Sequence, residues 1–171
     1  EVQADLLLGE EWYLTAGGSF DANVVNSDVF FGEDSLRVRN QPEGAVFSQL
    51  EYSPGRRTTI TAGLRYDAYK VHTLETATQL SPKLSASYHL SDFITARASF
   101  GRGFRVPSVA ERFVNNSDFF PLESNIGLKP ETSTGYEAGL TYNRPLFRGW
   151  NLKTELTGFW NEYRRLVEPQ F

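Results

Sequence analysis

The chain has 171 residues, with 17 Lys and Arg against 21 Asp and Glu and a formal net charge of −4. That balance excludes a basic nucleic-acid binder, and the absence of cysteine excludes a disulfide framework and a thiolate metal site. Aromatic residues make up 14%, too many for a disordered segment, and no apolar run approaches the roughly 20 residues of a spanning helix, the longest aliphatic block being Leu6 to Leu8.

Period-two alternation predicts eight strands, at 1–8, 12–24, 44–52, 58–70, 83–90, 93–104, 132–142 and 150–163. The second sets Trp12, Leu14, Ala16, Gly18, Phe20, Ala22 and Val24 against Tyr13, Thr15, Gly17, Ser19, Asp21 and Asn23. The third is the weakest, because Ala45 and Phe47 interrupt its polar side. The fourth sets Thr58, Ile60, Ala62, Leu64, Tyr66 and Ala68 against Thr59, Thr61, Gly63, Arg65, Asp67 and Tyr69.

The connections alternate in length. Residues 9–11, 53–57, 91–92 and 143–149 are short links, while 25–43, 71–82 and 105–131 are long ones. An up-and-down antiparallel sheet collects the short turns at one end and the long loops at the other, as outer-membrane barrels do. On the predicted strands the apolar faces carry no charge until Lys70, Arg102 and Glu162, all toward the long loops. Trp12, Tyr52, Tyr88, Tyr142 and Trp150 sit beside the short turns on that face. Phe20, Tyr66, Phe100, Tyr136 and Trp160 lie toward the other end, so two aromatic girdles bracket an aliphatic band. The fold class expected is all-β: a segment of an antiparallel, up-and-down transmembrane β-barrel of about eight strands. A soluble β-protein binding carbohydrate is the competing reading of alternation alone.

The most specific motifs lie between Ser81 and Ser133. Ser81-Pro82-Lys83-Leu84 precedes a strand and the turn Leu90-Ser91-Asp92. The next strand closes in Gly101-Arg102-Gly103-Phe104-Arg105-Val106-Pro107-Ser108. Leu128-Lys129-Pro130-Glu131-Thr132-Ser133 then opens a strand with Tyr136-Glu137-Ala138-Gly139. In order and spacing, residues 81–163 resemble the β-barrel domain of TonB-dependent outer-membrane receptors, and residues 1–80 share its strand-and-loop rhythm. One departure is Ile126, where the family commonly has Pro.

The resemblance implies a 22-stranded barrel in the outer membrane of a Gram-negative bacterium, with a plug domain inside. It implies uptake of a scarce nutrient, such as a ferric siderophore or vitamin B12, with energy from the TonB–ExbB–ExbD complex. Residues 1–171 are then part of one barrel domain, with the plug and the remaining strands outside the chain. The other candidate is an autonomous eight-stranded outer-membrane barrel acting as anchor, adhesin or lipid enzyme. Phe171 mimics the terminal aromatic of such barrels, whereas Pro169 interrupts the last segment.

Gly101-Arg102-Gly103 could be taken for a phosphate loop, but the glycines are read first as letting the strand bend and approach a neighbour closely. Ser108 and Glu111 have the spacing of a capping box and predict a short helix over 108–113. Arg102, Phe104, Arg105, Phe119 and Phe120, with Phe113, are candidates for contact with an anionic ligand at the longest loop. Arg65, Asp67, Arg97, Glu137, Lys153 and Glu155 are expected to face the lumen and the plug. Trp12, Tyr52, Tyr88, Tyr142, Trp150 and Trp160 are expected at the lipid interfaces. His72, with Glu75 three residues on, and His89 have no second His or Cys beside them. No metal, cofactor or catalytic group is therefore expected.

Overall fold

The computed structural model describes residues 1–26, 38–70, 76–108, 111–112, 125 and 127–166. They form one antiparallel sheet of eight strands, each paired with the next in sequence. The strands are β1 (Val2–Leu8), β2 (Trp12–Asn26), β3 (Val38–Tyr52), β4 (Thr58–Tyr69), β5 (Ala77–His89), β6 (Ile94–Arg105), β7 (Glu131–Pro145) and β8 (Asn151–Arg164). β1 and β8 are the two edges, so the sheet is open.

Residues opposite one another in a ladder share a face. The register pairs even with even and odd with odd across every ladder. All eight apolar faces therefore lie on one side. One row across it runs Tyr52, Ile60, Ala86, Ala98, Ala138 and Gly158. The odd-numbered side carries Arg65, Asp67, Lys83, Arg97, Glu137 and Glu155. A slip of one residue in any ladder would turn a whole strand inside out.

The girdles assemble across strands. Trp12 lies opposite Tyr52 near the turn end, and the rings stack with centroids 4.1 Å apart. At the other end Phe100, Tyr136 and Trp160 stand in one row, with Phe100 and Tyr136 at 5.3 Å. Such cross-strand aromatic pairs stabilise a sheet by about 0.2–1 kcal/mol each. Trp150 to Trp160 measures about 33 Å along the chain at ~3.3 Å per residue, or about 25 Å across a barrel tilted by about 40°. That matches the apolar band of an outer-membrane barrel.

Three boundaries differ from the sequence expectation by three residues or more. β3 begins at Val38 rather than Gly44, β5 at Ala77 rather than Lys83, and β7 runs to Pro145 rather than Tyr142. The first two extensions pass through prolines. Pro42 sits opposite Ala22, and its carbonyl accepts from the Lys70 N–H at 3.0 Å, where β4 has already ended. Pro82 lies where pairing with β6 stops, at Lys83 and Gly101. The His89 N–H donates to the Arg57 carbonyl at 2.8 Å, which turns odd β5 residues toward β4 and even ones toward β6. The N–H that Pro82 lacks is thus one β6 would need next. The third extension places Arg144 on the apolar side, opposite Leu152, so a charge stands there at the turn end as well.

The β7–β8 hairpin closes on a type I′ geometry. Arg148 and Gly149 have φ of 55° and 79°, and the Trp150 N–H donates to the Phe147 carbonyl at 3.3 Å. Among the described residues no helix is long and apolar enough to cross a membrane, which leaves strand crossing open.

Candidate functional site

Side chains on the odd-numbered face lie over facing glycines at three places. Arg97 on β6 lies opposite Gly139 on β7, which lies opposite Thr157 on β8. The Arg97 guanidinium crosses Gly139 to reach β8. It donates to Thr157 Oγ1 at 2.9 Å, to Thr141 Oγ1 at 3.1 Å and to Glu155, and its Nε lies 3.5 Å from Glu137. A Cβ at Gly139 would stand 3.3 Å from Arg97 Nε and 3.1 Å from the Leu156 carbonyl oxygen. Two more pairs repeat the device. Lys83 lies flat over Gly63, where a Cβ would come within 2.5 Å of its Cε, and the Phe47 ring covers Gly17. Phe47 thus does not spoil the polar face; its ring fills the space above a glycine.

The residues expected to face the lumen all stand on this side. Arg65 donates to Asp67 at 2.8 Å, Arg97 bridges Glu137 and Glu155, and Lys153 lies opposite Asn143. They pair largely with one another. His89 shares a 2.8 Å hydrogen bond with Thr95 beside the turn, and among the described residues no His, Asp and Glu cluster of metal-binding size occurs.

Burial concentrates at the loop end. Ala45, Asp67, Tyr69, Pro107, Arg112, Pro130 and Thr132 are the buried residues of the described chain. Tyr69 stacks on Phe104 at 6.2 Å. Among the described residues the Asp67 Oδ2 and Tyr69 hydroxyl atoms are buried with no hydrogen bond of good geometry, Gln79 standing beside the hydroxyl.

The stem of the β6–β7 loop is tied by one guanidinium. Arg105 ends β6 opposite Glu131, the first residue of β7. It donates to both carboxylate oxygens of Glu131 at 2.9 and 2.8 Å, and to both of Glu111 at 3.0 and 2.9 Å. The capping box forms as well: the Ser108 N–H donates to Glu111 at 2.7 Å, and the Glu111 N–H to Ser108 Oγ at 3.2 Å. Residues 111 and 112 form its helical turn. The hydrogen bonds from Arg105 hold the Glu111 carboxyl below its ordinary range against the opposing effect of burial, with Ser108 assisting.

Of the ligand-contact candidates, Arg102 is exposed on the even-numbered face opposite Thr134, Phe104 packs on Tyr69, and Arg105 is held between two carboxylates. Phe113, Phe119 and Phe120 lie outside the described residues, as do Ile126, His72, Glu75, Pro169 and Phe171. Sequence reasoning missed Glu131 as a partner of Arg105 and the glycines beneath Arg97, Lys83 and Phe47. Both depend on register, for which the local sequence carries no signal.

The family model of the TonB-dependent receptor-like β-barrel matches residues 1–171. The ferric enterobactin receptor of Pseudomonas aeruginosa is 26% identical, over 98% of this chain and 25% of its own length. Heme/hemopexin utilization protein C of Haemophilus influenzae is 24% identical, over 83% of this chain and 22% of its own. The crystal structure of the siderophore receptor PirA from Pseudomonas aeruginosa superposes with a TM-score of 0.75 at 25% identity, covering 94% of this chain and 30% of that one. A double mutant of the Serratia marcescens hemophore receptor HasR shares the fold at a TM-score of 0.78 and 18% identity, covering 94% and 32%. The chain spans about a quarter of the length of the curated relatives it matches.

Proposed function

The chain belongs to the TonB-dependent receptor β-barrel family, and from that premise we propose that residues 1–171 form consecutive wall strands of an outer-membrane receptor that imports a ferric siderophore. The observation that carries this reading is the two-sided sheet, apolar and girdled on its even-numbered face and charged on its odd-numbered face. In a barrel those faces meet lipid and lumen. The siderophore reading draws on relatives named for ferric enterobactin, beside others named for heme. A plug domain occupies the lumen in this reading, and TonB–ExbB–ExbD supplies energy through a region outside this chain. The protein acts as a transporter in a Gram-negative outer membrane, not as an enzyme.

The ligand in this reading approaches the loop end, where Arg102 and Phe104 offer charge and ring surface and the sequence of the connection carries Phe119 and Phe120. Arg105 contributes by holding the loop stem. An autonomous eight-stranded barrel is less well supported, because closure would pair β1 with β8 and the sheet leaves both as edges.

The test is uptake of radioactive iron, presented as individual ferric siderophores, by Gram-negative cells that lack their own receptors and express the full-length parent protein. TonB-dependent accumulation with one siderophore supports the reading. Correctly inserted protein that imports none of them overturns it.

A further inference from the structure

The turn end of the sheet is uneven. The turns at 9–11 and 53–57 are built from Gly, Glu, Ser, Pro and Arg. Those at 90–93 and 146–150, adjacent through the β6–β7 ladder, expose Leu90, Phe93, Leu146, Phe147 and Trp150. Phe147 is 76% and Trp150 71% exposed, and both continue the turn-end girdle. Within this apolar patch stands Arg144. The register places it on the even-numbered face opposite Leu152, two residues beyond the girdle Tyr142. Its guanidinium lies 5.3 Å from the centre of the Phe93 ring. Among the described residues no carboxylate lies within ion-pair distance of it.

We infer that Arg144, seated on Phe93, binds the phosphate of a phospholipid in the leaflet on the turn side of the barrel. Three features select that occupant. The exposed side chains are of the kind that enters the headgroup and upper acyl region, with a Trp at the polar boundary. A guanidinium at that depth meets phosphodiesters and matches their geometry with paired N–H donors. The ring beneath it fixes the cation while leaving its edge free to donate. Phe147 and Trp150 then hold the acyl chains beside the charge. The inference rests on the membrane reading above, since only a bilayer supplies this partner at this height.

The full-length parent protein in maltoside micelles is titrated with phosphatidylglycerol, or with a diacylglycerol of the same chains, and bound lipid is counted by native mass spectrometry. Heat-modifiable electrophoretic mobility is read on every sample and reports an intact barrel independently of lipid. Wild type should retain phosphatidylglycerol over diacylglycerol. Arg144→Gln should weaken that retention by about three- to fivefold, the range of one exposed ion pair. Arg144→Lys, which keeps the charge, should recover part of it. Equal retention by wild type and Arg144→Gln overturns the inference, and so does equal retention of the lipid without phosphate. Loss of heat-modifiable mobility in the wild type would instead overturn the barrel reading itself.

Discussion

Arg97 and Gly139 face each other across the β6–β7 ladder, and the missing side chain of one is the path of the other. One guanidinium thereby ties three strands together on the polar face. Gly139→Ala should put a methyl group 3.3 Å from Arg97 Nε and 3.1 Å from the Leu156 carbonyl oxygen. Overpacking of this kind costs about 1–3 kcal/mol. Gly158, where an added Cβ meets nothing within 4 Å, is the control and should tolerate Ala. Urea midpoints of the parent barrel refolded into vesicles compare the two. Equal midpoints would contradict the crossing geometry.

The Arg105 clamp predicts an acid-sensitive loop. Hydrogen bonds from Arg105 hold the folded-state pKa of Glu111 below the ordinary carboxylate value, so its contribution is complete above that value and is lost as pH falls through the depressed one. The stem should stay closed at neutral pH and loosen only below the ordinary carboxylate range. Arg105→Ala should loosen it at neutral pH already. Limited proteolysis within 106–130 reads both effects, as faster cleavage at low pH in the wild type and at all pH values in the variant. A variant as resistant as wild type would show that the clamp does not hold the stem.

Among the described residues the buried Tyr69 hydroxyl makes no hydrogen bond of good geometry, although Gln79 and Arg112 stand beside it. An unsatisfied buried polar group costs about 1–3 kcal/mol. Tyr69→Phe keeps the stack on Phe104 and removes the orphan, so it should be neutral or stabilising. A loss above about 1 kcal/mol in the same unfolding assay would reveal a bond to that hydroxyl.

Pro82 stops the β5–β6 ladder by lacking the next donor. Pro82→Ala supplies an N–H opposite Arg102, and the ladder should grow by one step. The amide of residue 82 in that variant should then exchange slowly with solvent. Exchange at the rate of an unstructured amide would contradict the register.

The order, direction and facing of the strands were legible because alternation is a local signal, and every parity read from the sequence matches the sheet. The early portions of β3 and β5 were not, because Pro42 and Pro82 read as breakers until the direction of the missing N–H is known. The capping box at Ser108 and Glu111 was legible from spacing. The second half of the clamp was not, since Arg105 and Glu131 meet only through pairing across a long loop. Gly139 and Gly63 likewise acquire their roles from the side chains opposite, which no single strand displays.

The central claim is that even-numbered residues of this sheet face lipid and odd-numbered ones face water. The chain contains no cysteine, so each introduced thiol is unique within it. Single substitutions along β4, from Ile60→Cys through Asp67→Cys, are made in the parent protein freed of other cysteines and reconstituted in bilayers. A membrane-impermeant maleimide and a lipid-soluble spin-relaxation agent then probe each position. The account predicts alternation: Thr61 and Arg65 positions react from water, while Ala62, Leu64 and Tyr66 positions sense lipid; position 63, covered by Lys83, is left out. Water access on both faces, or no alternation, would contradict it.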